Sequence, residues 1–325
     1  MGQLYYRNLF EHFFDRYPNN ATKFIAVSGY LGPDPIKKLH ELPFPSQIVY
    51  GLQRETPNSV LHAQLVKETT GKVSVYYPEI PSHAKCYLWM EGDRPIRGLV
   101  GSANFSTNGL RNDFRETLIE VERPDLHSVL GYLNLLLERS MICTEVQLDQ
   151  RPTQSISQTE HCDMVLYDPR TGEVQESSGL NWGFADAHVA PNDAYIPIRV
   201  KHIKQCPNLF QPIFFNPEAG HRSRNEYEKV ELIWDDGVVM PALFEGSQPI
   251  DGRSYPKQIS SVPNKSILGE YIRDRIGKQR VTDTKDSTQL ITRQNLEKYG
   301  RNFVRLSLLQ PGVYYADFSP DTISF

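Results

Sequence analysis

The stretch from Pro81 to Glu122 constrains this chain more than any other. It reads Pro-Ser-His-Ala-Lys-Cys-Tyr-Leu-Trp-Met, a short charged turn, then Gly-Leu-Val-Gly-Ser-Ala-Asn-Phe-Ser. Residues two apart on a strand point to the same face. His83 and Lys85 are two apart, with Ala84, Cys86 and Leu88 fitting the opposite, apolar face. Ser102 and Asn104 are also two apart, just past the apolar run Ile96 to Val100. Glu116 falls in Phe114 to Glu120, which alternates as a third strand. Three strands thus offer a histidine, a lysine, a serine, an amide and a carboxylate to one patch. That set is suited to holding and attacking a phosphate.

His-x-Lys followed by Gly-Ser-x-Asn resembles the signature of the phospholipase D superfamily. The resemblance implies chemistry without a divalent metal or other cofactor. One histidine attacks phosphorus and forms a phosphohistidine, and a second, from another copy of the motif, protonates the leaving oxygen. Carried over, His83 is the nucleophile or acid, and Lys85, Ser102 and Asn104 hold the phosphate. Glu116 orients a histidine. The family pattern places an aspartate five residues after the lysine, where this chain has Met90. One copy of the motif per chain then implies a homodimer with the site on its two-fold axis. His202-Ile203-Lys204 is a second His-x-Lys, but no Gly-Ser-x-Asn follows it. It reads as ordinary sequence.

At 325 residues the chain is long enough for two domains. It has 39% hydrophobic and 23% charged residues, the proportions of an ordinary globular protein. No apolar run approaches the ~18 residues of a membrane span, and Met1 to Arg7 lacks a signal-peptide pattern. Cys86, Cys143, Cys162 and Cys206 are scattered without zinc spacing. These features give the expectation of reduced thiols in a cytoplasmic protein with no metal site. Net charge is -4, but two stretches are basic: Arg199 to Arg224, and Lys265 to Arg305. On one face they would suit a polyanion.

Helix and strand patterns alternate through the first half, as at Lys23 to Val27, Pro35 to Leu42, Gln47 to Leu52, Pro57 to Glu68 and Val73 to Tyr77. A helix is also expected over Leu9 to Tyr17. Asp125 to Met141 carries Leu126, Val129, Leu130, Leu133 and Leu137 at helical spacing. The expectation is an α/β domain over residues 1–150. A polar linker, 151–160, follows. Residues 161–325 read as an α+β, strand-rich pseudobarrel. Its signals are strands at Met164 to Tyr167 and Ala194 to Val200, a hairpin around Asp235-Asp236-Gly237, and a last hairpin around Pro311-Gly312. Helices are expected at Lys265 to Ile276 and Thr292 to Tyr299.

Two stretches of this half read as recognition loops: Ser177 to Gly183, and Gln258 to Lys265. Amide and hydroxyl groups read base edges, while lysine and arginine hold phosphates. The candidate DNA contacts are Ser178, Asn181 and Trp182 in the first loop. Gln258, Ser260, Ser261, Asn264 and Lys265 are those in the second, and Arg199 and Lys201 come from the first basic stretch.

Gly-Leu-Asn-Trp-Gly and Leu-Gly-Glu-Tyr-Ile-Arg extend the resemblance over nearly the whole chain. Together with the single motif they resemble the NgoFVII-type restriction endonucleases, relatives of BfiI. The resemblance implies a phospholipase D-like nuclease domain followed by a B-three-like pseudobarrel that grips double-stranded DNA with two loop arms. It implies a sequence-specific, metal-independent endonuclease. It also implies a restriction-modification setting with a cognate methyltransferase, and in some members a helicase-like ATPase subunit. The alternatives are a non-specific or lipid phosphodiesterase, and a DNA-binding protein whose phosphodiesterase-like domain is inactive and only dimerises. No basic amphipathic helix or apolar loop argues for a membrane.

Overall fold

The computed structural model describes residues 2–52, 58–147, 160–213, 224 and 227–320. The chain divides into two compact units, Met1–Ser155 with Leu309–Val313, and Ile156–Leu308 with Tyr314–Phe325. The expected linker falls on 151–159, outside the described residues, apart from Glu160.

The first unit is built on one mixed sheet. Its strands are β1 (Leu4–Tyr5), β2 (Lys23–Ser28), β3 (Ser46–Tyr50), β4 (Val73–Pro78), β5 (Cys86–Glu91), β6 (Arg94–Gly101), β7 (Leu118–Glu120) and β8 (Ser140–Ile142). They lie in the order β1-β7-β6-β5-β2-β3-β4-β8. Strands β2, β3 and β4 run parallel. Strand β5 runs antiparallel to both β2 and β6, and β6 antiparallel to β7. The C-terminal ends of β2 and β6 and the N-terminal ends of β5 and β7 therefore share one edge of the sheet.

Helices α1 (Glu11–Phe14), α2 (Pro33–Lys38), α3 (Ser59–Glu68), α4 (Thr107–Arg111) and α5 (Leu126–Glu138) complete the unit. Strand β5 shows why it has two cores. Tyr87 and Trp89 point to one face and meet Phe13 and Phe24, with Phe13 4.8 Å from Tyr87 and Phe24 5.0 Å from Trp89 between ring centroids. Leu88 and Met90 point to the other, against Leu126, Leu133 and Leu136 of α5. Asn58 caps α3, its side chain accepting from the amides of Val60 and Leu61.

The second unit has strands β9 (His161–Val165), β10 (Ile196–Pro197), β11 (Glu228–Trp234), β12 (Val239–Glu245), β13 (Gln248–Ile250), β14 (Arg253–Tyr255), β15 (Gln258–Ser261), β16 (Phe303–Gln310) and β17 (Val313–Asp317). Seven of them form a sheet in the order β10-β15-β12-β11-β17-β16-β9, and β13 and β14 form a separate hairpin. The end strands β9 and β10 approach each other, so the sheet is a nearly closed barrel. Arg199 stitches the seam, donating to the carbonyls of Val165 at 2.8 Å and Tyr167 at 2.6 Å. Trp234, Phe244, Leu306 and Tyr314 lie in the core. Helices α6 (Val200–Gln205), α7 (Ser266–Arg275) and α8 (Arg293–Tyr299) pack outside the ladder. Helix α8 is capped at Thr292 and stopped by Gly300 at φ 94°.

Several elements differ from the sequence reading, each for a local reason. The ladder of β5 begins at Cys86, so His83 and Lys85 precede the strand. The position that would face Ala84 is already taken, because the Gly29 carbonyl accepts from the Leu52 amide. Glu116 likewise precedes β7, since the chain turns at Phe114, whose φ is 64° and whose amide donates to Tyr6. The expected Leu9 to Tyr17 helix shortens to α1. Ala194 to Val200 pairs only at Ile196 and Pro197, and α6 starts directly after. The stretch Gln258 to Ser261, read as loop, is a strand paired on both sides. Its two serines hid the alternation.

Candidate active site

The shared edge of the first sheet gathers the motif. Lys85 leaves the start of β5, Ser102 and Asn104 leave the end of β6, and Glu116 approaches the start of β7. Gly29 follows the end of β2. A Cβ placed on Gly29 would lie 2.7 Å from His83 Cδ2, 3.0 Å from Lys85 Nζ and 3.3 Å from Asn104 Oδ1. Three motif side chains from two separate segments therefore converge on one spot.

Each is held by its surroundings. The Lys85 ammonium donates to the His83 carbonyl at 2.7 Å, and the residue as a whole is 7% exposed. Burial pulls its pKa down, while the Glu116 carboxylate acts in the opposite sense. Asn104 Oδ1 accepts from the Tyr30 amide at 3.1 Å. The Tyr30 ring stands edge-on to the exposed His83 ring, 6.4 Å between centroids. The His83 segment is anchored by Ser82, whose amide donates to Gly51 and whose hydroxyl pairs with the Tyr132 hydroxyl of α5 at 2.6 Å.

Ser102 is placed differently. Its hydroxyl accepts from the Thr117 amide at 3.0 Å and its own amide donates to the Thr117 carbonyl, so it ties the end of β6 to the segment carrying Glu116. Downstream, Ser106 caps α4 by accepting from Gly109. A Cβ on Gly109 would fall 2.3 Å from the Asn104 carbonyl.

Met90 is 3% exposed and sits among apolar side chains beneath α5. The departure from the aspartate pattern thus belongs to the core and takes no group away from the sheet edge. His202 is 1% exposed, with Nδ1 accepting from the Arg199 amide. Sequence reading missed Ser28, Gly29 and Tyr30, which lie just past the strand expected over Lys23 to Val27. A glycine at the end of a buried strand is the signal that was available.

In the second unit, most of the expected DNA contacts turn inward. Asn181 is 1% exposed, and its amide spans the Gln175 and Ile291 carbonyls and the Ile291 amide. Gln258, Ser260 and Ser261 are buried in β15. Ser261 bonds to Asn264 and Leu268. Gln258 and Lys265 both reach the buried Glu245, at 2.7 and 2.6 Å. Arg224 joins them, bonding Glu245 and the Ser260 hydroxyl. Burial raises the Glu245 pKa, but Lys265 and Gln258 outweigh it and the net direction is down. Lys265 also lies 5.7 Å from the rings of Trp182 and Tyr195. Arg199 is spent on the barrel seam. Ser178 is half-buried and donates to Gln175. Lys201 and Asn264 are exposed. The physical reason is common to these positions: buried backbone groups and the buried Glu245 carboxylate need hydrogen-bond partners, and these amides, hydroxyls and cations supply them.

Among the described residues, no three His, Cys, Asp or Glu side chains gather as a metal-binding group. Among them too, no helix is long and apolar enough to cross a membrane.

Comparisons with known proteins agree with this division. Residues 7–150 match the family model described as the NgoFVII restriction endonuclease N-terminal PLD domain. Residues 154–310 match the NgoFVII C-terminal B3-like DNA-binding domain. No curated protein matches the chain. Among solved structures, NucT from Helicobacter pylori is similar at 15% identity and TM-score 0.35, over 44% of this chain and 98% of its own. Nuc from Salmonella typhimurium, a phospholipase D family member, is similar at 15% identity and TM-score 0.29, over 38% and 82%. A polyphosphate kinase from Porphyromonas gingivalis is similar at 15% identity and TM-score 0.28, over 38% and 19%.

Proposed function

The chain belongs to the NgoFVII restriction endonuclease family, and on that premise we propose that it is a sequence-specific endodeoxyribonuclease acting through a phosphohistidine on His83. The observation that carries the proposal is the convergence of His83, Lys85 and Asn104 at Gly29. A scissile phosphodiester is held there by the Lys85 ammonium and the Asn104 amide, which meet the charge that grows on its non-bridging oxygens. An imidazole nitrogen of His83 forms the bond to phosphorus. The bond from phosphorus to the leaving oxygen breaks, and that oxygen takes a proton from a second, protonated His83. The second imidazole, now neutral, then takes a proton from water as the water attacks the phosphohistidine and frees His83. Glu116 balances the charge of this edge.

The second His83 comes from another copy of the chain, because each chain carries one motif. The working enzyme is therefore a homodimer with its site on the two-fold axis. Ser102 acts by tying Glu116 to the end of β6. No divalent metal takes part in these steps. The second unit selects the site on double-stranded DNA, with Lys201, Asn264 and the half-buried Trp182 and Ser178 as the retained contact candidates. A cytoplasmic restriction-modification system supplies the setting, with a cognate methyltransferase protecting the host site and a helicase-like ATPase as a further subunit.

Plasmid DNA incubated in EDTA with wild type and with His83→Ala tests the proposal. Discrete fragments from wild type alone are expected. A smear would replace the restriction enzyme with a non-specific nuclease. Cleavage only after a divalent metal is added, or cleavage by His83→Ala, would sink the mechanism.

A further inference from the structure

A side chain on Gly29 would force the motif side chains around it to shift. The Cβ position meets His83, Lys85 and Asn104 at 2.7, 3.0 and 3.3 Å. The flanking residues make this bare edge rigid. Ser28 Oγ donates to the Tyr30 carbonyl at 2.7 Å and accepts from the Phe105 amide at 2.8 Å. That single hydroxyl ties the end of β2 to the residue after Asn104. The Tyr30 amide donates to Asn104 Oδ1, which fixes the side-chain flip and leaves Nδ2 as the donor end. Ser28 is fully buried, so this link is shielded from water.

We propose that Gly29 is a positioning residue of the phosphodiesterase site: the bare edge of Ser28-Gly29-Tyr30 registers His83, Lys85 and Asn104 against one another and aims the Asn104 amino group at the phosphate. The proposal rests on the phosphodiesterase reading of the same site. A methyl group on Gly29 forces the imidazole to move and crowds the ammonium and the Asn104 amide. Displacements near 1 Å in such sites slow turnover about 100-fold.

The test uses the full chain as wild type, Gly29→Ala and Ser28→Ala, assayed on plasmid DNA, with thermal unfolding measured beside turnover. Gly29→Ala is expected to lose about 100-fold in kcat with KM within about twofold. Ser28→Ala adds no volume and is expected to lose about tenfold by loosening the same edge. In an Asn104→Ala background, Gly29→Ala is expected to add less than its own single effect, because both act on one geometry. Full kcat in Gly29→Ala, or losses that simply add, would overturn the proposal. If Gly29→Ala does not fold, unchanged kcat in Ser28→Ala overturns it. Calorimetry with inorganic phosphate reads the same geometry without turnover. Weaker binding by Gly29→Ala supports the positioning role, and equal binding refutes it. An inactive wild type would instead remove the phosphodiesterase reading and leave the phosphate result to decide the positioning claim.

Discussion

The side-chain ammonium of Lys85 donates to the main-chain carbonyl of His83, 2.7 Å away. The side chain of one motif residue is thus tied to the backbone of the other. That placement has an energetic consequence, because Lys85 is buried and its charged form is disfavoured. Lys85→Met is expected to abolish most turnover, on the order of 100- to 1000-fold, as for loss of a preorganised donor. It is also expected to raise the Tm of the first unit, by about 2–4 °C for each kcal/mol recovered. Calorimetric unfolding beside a cleavage assay checks both. A variant that is inactive and less stable would contradict the account.

The same burial fixes the sign of a pH effect. The folded pKa of Lys85 lies below that of the unfolded chain. Below the folded value both states are protonated and the burial penalty is fully present. It is relieved as pH rises through the folded value. The charge that Lys85 would offer a phosphate under the proposed mechanism is lost over the same interval. The alkaline limb of kcat is therefore expected to fall at lower pH than an ordinary lysine allows, and to move upward in Lys85→Arg, whatever activity that variant retains.

Glu245 is the counter-charge for Lys265 and Arg224 in the second unit. Glu245→Ala leaves two cations without their carboxylate and is expected to cost about 3–5 kcal/mol in urea unfolding. Its folded pKa is lowered, so its contribution is present above the ordinary carboxylate range and is lost as pH falls through the folded value. Lys201→Ala is the contrast, since Lys201 is exposed. It is expected to leave the Tm unchanged, weaken DNA binding, and reduce the salt slope by about one.

His202 gives the second unit an acid sensitivity of its own. Burial, then Arg199 and Lys201, push its pKa from 6.5 down to about 4. Between these values the unfolded chain takes up a proton and the folded one does not, so stability is full above pH 6.5 and declines toward pH 4. The loss is on the order of 3 kcal/mol. Urea midpoints measured at several pH values should show it, and His202→Asn should flatten the profile.

The sequence was most legible where chemistry and periodicity coincided. Of the five residues at helical spacing in α5, Leu126 and Leu133 are buried and Val129, Leu130 and Leu137 are partly buried, with the unnamed Leu136 buried beside them, and Asp-Gly at Asp236-Gly237 makes the β11–β12 turn with Gly237 at φ 82°. The motif residues His83, Lys85 and Asn104 were visible as residue types at fixed spacing. What brings them together was not. Gly29 is remote in sequence, and its role is an absence of atoms. The expected recognition loops show the converse. Asn181, Ser260 and Gln258 have the chemistry to read bases, and the barrel uses that chemistry to satisfy its own backbone and Glu245. Arg199 reads as a phosphate ligand by charge, yet its five donors suit two carbonyls at a seam equally well.

The central claim is that His83 bonds covalently to phosphorus. End-labelled DNA carrying a cut site, mixed with enzyme in EDTA, quenched in alkali and run on a denaturing gel, tests it most directly. The account predicts label that travels with wild-type protein, survives base, is released by acid, and is absent from His83→Ala. Efficient cleavage with no labelled protein, or label retained by His83→Ala, would contradict it.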